Sequence, residues 1–194
     1  EDIKAKVKAL IVHQMNAIEV TGRNLVVADV IVRYVKKTLH SDLKLLEDAG
    51  KESFEILGRE LRVKGEHFGF RFKGFIDRLD AFGPDEVRVV DYKTGRVLDD
   101  DIYIDDDNAL DIADRIFAPD IKDRPKIAFQ FYIYDLLVQG RPEVQGRNLH
   151  NCVYSTSRLF GKLPEAIPVH PVFFNASSEQ LARLMAEIDN PEVP

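Results

Sequence analysis

Apolar residues recur at helical spacing along the first fifty positions. Ile3, Val7, Leu10, Ile11 and Ile18 predict an amphipathic helix over residues 2–18, ended near Gly22. Val30, Ile31, Tyr34, Val35, Leu39, Leu43 and Leu46 predict a second helix running to Gly50. Both apolar stripes are expected to face the core. Ser53 to Leu57 reads as the close of a further helical segment. From Glu60 the period changes to two, because Glu60-Leu61-Arg62-Val63-Lys64 alternates polar and apolar as a half-buried strand does, with Lys64-Gly65-Glu66 as its turn. Gly69 to Gly95 then carries two β-branched and aromatic runs on either side of Gly83-Pro84-Asp85, the pattern of a hairpin with a longer loop. The three runs make a meander.

Beyond it, Lys126 to Val138 predicts a helix and Asn148 to Ser155 a strand. A helix between two strands fits a right-handed crossover to a parallel neighbour. Ala166 to Asn175 predicts one more extended segment. Ser177-Ser178-Glu179-Gln180 reads as a capping box before a last amphipathic helix stopped by Pro191. The length of 194 residues, 45% of them hydrophobic, is enough for one α/β domain with a full core. Within it we expect a helical part over 1–58, a core over 59–156 with an acidic insert at 99–123, and a C-terminal strand and helix over 157–194.

No apolar run approaches the roughly 18 residues that a membrane span needs, so no membrane partner is expected, and a single cysteine fits a reducing, cytoplasmic location. Glu1 in place of Met fits an excised domain. The lone cysteine, Cys152, makes neither an internal disulfide nor a four-cysteine metal site, and is expected to be a buried strand residue. A net charge of -6 lacks the overall basic character of a stand-alone nucleic-acid binder, but the charges are segregated. Eight Asp and no Lys or Arg lie between Asp99 and Asp114, whereas Arg59, Arg62, Lys64, Arg71 and Lys73 crowd the strands leading to Asp77. Phosphate attraction depends on the local field, so a basic rim remains compatible with DNA. The acidic insert offers oxygen ligands at Asp105, Asp106, Asp107 and Asn108, yet lacks the alternating positions, Gly and terminal Glu of a calcium loop. A lid, a partner-docking segment and a solvated loop remain open for it.

The candidate chemistry sits in the hairpin. Strand alternation puts Asp91 and Lys93 on the face of Val87 and Val89, and a register with arms of similar length brings Asp77 near Asp91. Two carboxylates at an apolar strand end need compensation, because each buried charge costs several kcal/mol. Mg²⁺ or Mn²⁺ supplies it with one or two protein carboxylates. Spacing alone leaves open a surface hairpin with solvated ion pairs.

Gly74-Phe75-Ile76-Asp77 followed by Val89-Val90-Asp91-Tyr92-Lys93-Thr94-Gly95 resembles the PD-(D/E)xK nuclease superfamily, in its RecB-like exonuclease branch. The resemblance covers Glu60 to Thr156, about half the chain. It implies a restriction-endonuclease-like α/β core, a mixed central sheet flanked by helices, here with extra N-terminal helices. It implies DNA as substrate and phosphodiester hydrolysis with one or two Mg²⁺ or Mn²⁺ ions. Asp77 and Asp91 would hold the metal, with Glu60 as the upstream acid and the Tyr92 carbonyl as further ligands. Lys93 would orient the attacking water. Gln130 and Tyr134, at i and i+4 on one helix face, match the family's Gln-x-x-x-Tyr motif. The branch's Gly-x-x-x-His segment has no match, since His13 and His40 lack the preceding glycine. An iron-sulfur cluster cannot form from one cysteine. The implied setting is DNA repair, with helicase or other complex subunits as partners; the alternative is a non-catalytic DNA-binding or partner-docking module.

Overall fold

Five strands form one sheet in chain order: β1 (Glu55–His67), β2 (Phe70–Ala81), β3 (Glu86–Lys93), β4 (Asn148–Ser155) and β5 (Ala166–Pro168). The computed structural model describes residues 2–16 and 19–191. β1, β2 and β3 pair antiparallel as the expected meander, β3 and β4 pair parallel, and β5 returns antiparallel. Helices α1 (Ile3–Gln14) and α2 (Arg23–Asp48) precede the sheet, α3 (Ala109–Phe117) and α4 (Lys126–Val138) lie between β3 and β4, and α5 (Pro171–Ile188) follows β5. The result is α/β, with a mixed sheet flanked by helices.

The helix α4 makes the parallel pairing possible, since two parallel strands need a crossover. Its apolar residues surround it, as suits a helix packed on two sides and exposed only in its first turn, at Lys126 and Phe129. One side packs on the sheet, with Phe131, Leu137 and Val138 against Ile76, Leu79, Val87 and Val89. The other meets α3 and α5 through Ala128, Tyr132 and Leu136. On the opposite face of the sheet, Val90, Cys152 and Tyr154 meet Tyr34 and Leu45 of α2. Cys152 is the buried strand thiol expected, and burial pushes its pKa up to about 12.

Five expectations from the sequence need correction. The segment Ser53–Leu57 is not helical, because β1 already begins at Glu55. Lys64-Gly65-Glu66 is not a turn: β1 runs through it to His67, which pairs with Phe70. The turn is Phe68-Gly69, both at positive φ (53° and 79°), as a two-residue hairpin of matching twist requires. Residues 99–123 are not one solvated loop: they hold a 3₁₀ turn (Asp99–Asp101) and α3, with irregular chain on either side of α3. Ala109, Ile112, Ala113 and Ile116 form the buried stripe of α3 among the aspartates, with Arg158 and Gln180 bonded to Asp99 and Asp114. The extended segment ends at Pro168, and α5 starts at Pro171, whose fixed φ suits a first helical position. Ser177 therefore lies buried in mid-helix, and the Ser178 hydroxyl donates to the Phe174 carbonyl at 2.8 Å.

The fifth correction concerns α1 and α2. α1 ends at Gln14, and Ile18 lies outside the described residues. On α2, Val30, Ile31, Leu39 and Leu43 are exposed, while Ala28, Val32, Ser41, Asp42 and Leu46 are buried. The helix is turned by an ion pair. Asp42 accepts from both terminal nitrogens of Arg78 at 2.9 and 3.1 Å, and from the Tyr154 hydroxyl at 2.6 Å. Arg78 also reaches Asp80, which pairs with Arg88, and the aromatic rings of Phe54, Phe82 and Tyr154 lie against these guanidiniums.

A further buried acid sits on α4. Asp135 accepts from the Asn151 amide at 2.9 Å, and burial pushes its carboxyl up to about 8. Between the ordinary 3.8 and that value the folded protein keeps a proton that the unfolded chain has lost, so stability falls as pH rises through this window. Asp135→Asn removes the ionisation while keeping the shape. Its melting temperature relative to the parent should therefore climb steadily from about pH 4 to pH 8; thermal melts at a series of pH values that run parallel for the two proteins would contradict this.

Candidate active site

At the end of β3, the ladder to β2 stops at Arg78↔Val90. The next residue of β2, Asp77, replaces a backbone partner: its Oδ2 accepts from the Tyr92 amide at 2.8 Å. Along β2 both Ile76 and Leu79 face α4, so the two-residue alternation slips by one at Asp77-Arg78. Glu60, opposite this point between the pairs Arg59↔Arg78 and Leu61↔Ile76, takes the left-handed backbone with φ 45°. The distortion frees Asp77 from the regular pleat and opens a groove lined by Arg59, Glu60, Asp77, Arg78 and Tyr92.

On the α4 side of the same strand end, one hydrogen-bonded chain joins the other candidates. The Lys93 ammonium lies 2.7 Å from Asp91 Oδ2 and donates to Gln130 Oε1 at 2.6 Å. The Gln130 amide donates to Asp91 Oδ1 at 3.0 Å and to the Tyr134 hydroxyl at 2.7 Å. Tyr134 in turn donates to the Phe75 carbonyl at 2.6 Å. Each donor meets an acceptor, so the carboxamide has one orientation. Gly74 permits this, since a Cβ there would stand 3.1 Å from the Tyr134 ring.

Asp91 is buried, and its carboxyl is raised above the ordinary carboxylate range, first by burial and further by the Asp77 charge, against the pull of Lys93 and Gln130. An acid compressed by a like charge at a strand end suits a hard divalent cation. Among the described residues no three His, Cys, Asp or Glu side chains converge as a metal site. The available donors are thus Asp77, Asp91 and a backbone carbonyl such as that of Tyr92, a hard oxygen set with the one or two carboxylates that Mg²⁺ prefers. Glu60 shares the groove with Asp77 but stands exposed.

The basic rim is placed by strand pairing. Arg62↔Phe75, Lys64↔Lys73 and Glu66↔Arg71 share the outward face of the β1–β2 hairpin, while Val63 and Ile76 on the other face pack towards α4. Arg62 lies over the Phe75 ring at 5.2 Å. Sequence reasoning missed Asp42, Arg78 and Tyr154 behind the site. Arg78 donates to the Tyr92 hydroxyl at 2.9 Å, which ties α2 to the residue between Asp91 and Lys93. For Asp42 and Arg78 the signal was charge within apolar stretches.

A search of curated protein sequences finds no match. The family profile of the PD-(D/E)XK nuclease superfamily matches residues 5–192, nearly the whole chain. The mixed five-stranded sheet, with acids on its second and third strands and a crossover helix, is consistent with the restriction-endonuclease-like core of that family. Members of the superfamily are generally nucleases and typically use divalent metal ions. No helix among the described residues is long and apolar enough to cross a membrane. With a match of this extent, the chain belongs to the PD-(D/E)XK nuclease superfamily.

Proposed function

We propose that this protein is a Mg²⁺- or Mn²⁺-dependent deoxyribonuclease of the RecB-like branch, acting as an exonuclease in DNA repair or recombination. The observation that carries the reading is the Lys93 ammonium clamped between Asp91 and Gln130, one strand away from Asp77. Asp77, Asp91 and the Tyr92 carbonyl would hold the ion, with Glu60 across the groove. Bound there, a divalent cation supplies Lewis acidity, lowering the pKa of water and drawing charge from a phosphoryl oxygen.

The chain's own residues supply the rest. Lys93 brings a fixed positive charge to the place where the phosphorus gains a fifth oxygen, and orients the attacking water by donating to it. Gln130 holds Lys93 and Asp91 in one geometry, so little reorganisation accompanies the reaction. Tyr134 anchors Gln130 to β2. The Lys and Arg residues on the outward hairpin face attract the phosphate backbone without reading its sequence. Exonuclease action and the repair setting rest on the Asp91-Tyr92-Lys93-Thr94-Gly95 and Gln130-x-x-x-Tyr134 motifs.

Digestion of end-labelled linear DNA and covalently closed circular DNA, with and without Mn²⁺, tests the reading. Linear DNA should shorten from its ends only with the ion present, and circles should survive. Cut circles would replace the exonuclease by an endonuclease, and intact DNA of both forms with Mn²⁺ bound would overturn the nuclease.

A further inference from the structure

Two neighbouring hollows lie on the α3–α4 side of the molecule, the first of them reaching Lys93. The first, of about 280 Å³, is lined by six cations, Lys93, Arg96, Arg115, Lys122, Arg124 and Lys126, against the carboxylates of Asp101 and Asp123. The second, of about 610 Å³, shares Arg124, Pro125 and Lys126 with the first, so the two adjoin. Its floor is apolar, with Ile116, Phe117, Phe129 and Leu184, and the Glu187 carboxylate also lines it. The rings of Phe117 and Phe129 meet edge to face at 5.8 Å, and Phe129 keeps 36% of its surface exposed.

The cations divide into two sets. Arg124 donates to the carbonyls of Ala118 and Pro119, and Arg115 to that of Asp123, so these two arginines shape the loop between α3 and α4. Arg96, Lys122 and Lys126 are exposed and make no ion pair among the described residues. Lys126 opens α4, whose first turn has no side-chain cap and adds the positive end of a 13-residue helix dipole to the same groove.

We propose that these adjoining hollows form a binding track for single-stranded nucleic acid, with phosphates over Arg96, Lys122 and Lys126 and an unstacked base against Phe129. A cationic strip that gives way to an aromatic hollow matches a single strand, because every base has a face to stack and every linkage a charge to neutralise. Stacked, paired bases have no face free to enter the hollow. The direction of the track, away from Lys93, rests on the nuclease reading above; the binding does not.

Fluorescence anisotropy with a labelled oligo(dT) of about 12 nucleotides, in EDTA so that cleavage plays no part, tests it. The parent should bind this strand more tightly than a duplex of equal length. Lys122→Ala/Lys126→Ala should raise the single-strand Kd about tenfold and flatten the dependence of log Kd on log salt by about 1.4, the counterions of two phosphates. Phe129→Ser should weaken oligo(dT) several-fold but leave an abasic strand of the same length unaffected, and Phe129→Trp should restore binding. Equal affinity for duplex and single strand, or a salt dependence unchanged in the double lysine variant, overturns the proposal. Inactivity in the cleavage assay alongside intact oligo(dT) binding would count against the nuclease reading alone.

Discussion

Lys93→Ala should lower the rate of DNA cleavage by about 10²–10³-fold or more, the usual cost of removing one preorganised charge stabiliser, while the protein stays folded. The ammonium touches Asp91 and Gln130 and is itself only partly buried. Its loss leaves the Asp91 carboxyl without its cation. Because that carboxyl is already raised by burial and by Asp77, it can take up a proton instead of standing charged and unpaired. Asp91→Asn should lose activity at least as severely but behave differently in melts. The folded pKa of Asp91 lies above its unfolded value, so between the two the folded form holds an extra proton and stability falls as pH rises. Above the folded value the cost of the ionised acid is complete, and there the asparagine variant should melt at or above the parent temperature. Steady-state cleavage and thermal melts of the two variants check both statements. Retained cleavage in Lys93→Ala would remove it from the mechanism, and a strongly destabilised Asp91→Asn would make Asp91 a structural acid.

Asp42→Ala should destabilise the fold by about 3–5 kcal/mol, because it strips a buried guanidinium of its bidentate partner. Arg78 shows the balance: burial works against its charge, yet the bonds to Asp42 and the neighbouring Tyr92 and Asp80 raise its pKa well beyond the ordinary value. For a domain whose total stability is about 5–15 kcal/mol, such a loss approaches unfolding. Removing both charges is another matter, since a buried pair replaced by apolar groups of similar volume is often near neutral. Asp42→Leu/Arg78→Met should therefore recover most of the loss. Urea unfolding of the single and double variants decides it. If Asp42→Ala costs less than about 1 kcal/mol, the value of an exposed pair, the ion pair does not hold α2 to the sheet.

The parts of the fold legible in the sequence were those where a local pattern has one spatial meaning. The hairpin around Gly83-Pro84-Asp85, the helix Lys126–Val138 and the strand Asn148–Ser155 follow from period and punctuation, because strand and helix place side chains by local geometry. Strand alternation joins Asp91 and Lys93 and one helical turn joins Gln130 and Tyr134, but only the family resemblance marked the second pair as more than packing residues. Misreadings arose where one pattern serves two structures. Ser177-x-x-Gln180 resembles a cap but also fits mid-helix, and Gly65 resembles a turn but continues a strand. Eight aspartates between 99 and 114 hid the spacing of Ala109, Ile112, Ala113 and Ile116.

From its sequence alone this protein was determined to be an α/β domain with an acid and a lysine on one strand face, since periodicity and motif spacing act over a few residues. Tertiary structure alone decided which contacts cross long separations. Asp42 meets Arg78 across 36 residues and Tyr154 across 112, and Gln130 meets Asp91 across 39. Such pairs depend on how layers dock, so burial turned α2 about Asp42 and left Val30, Ile31, Leu39 and Leu43 outside. The same docking released Asp77 from the pleat and set the Gln130 carboxamide between Lys93 and Asp91. An unpaired buried charge costs more than an exposed valine or leucine, and the chain folds accordingly.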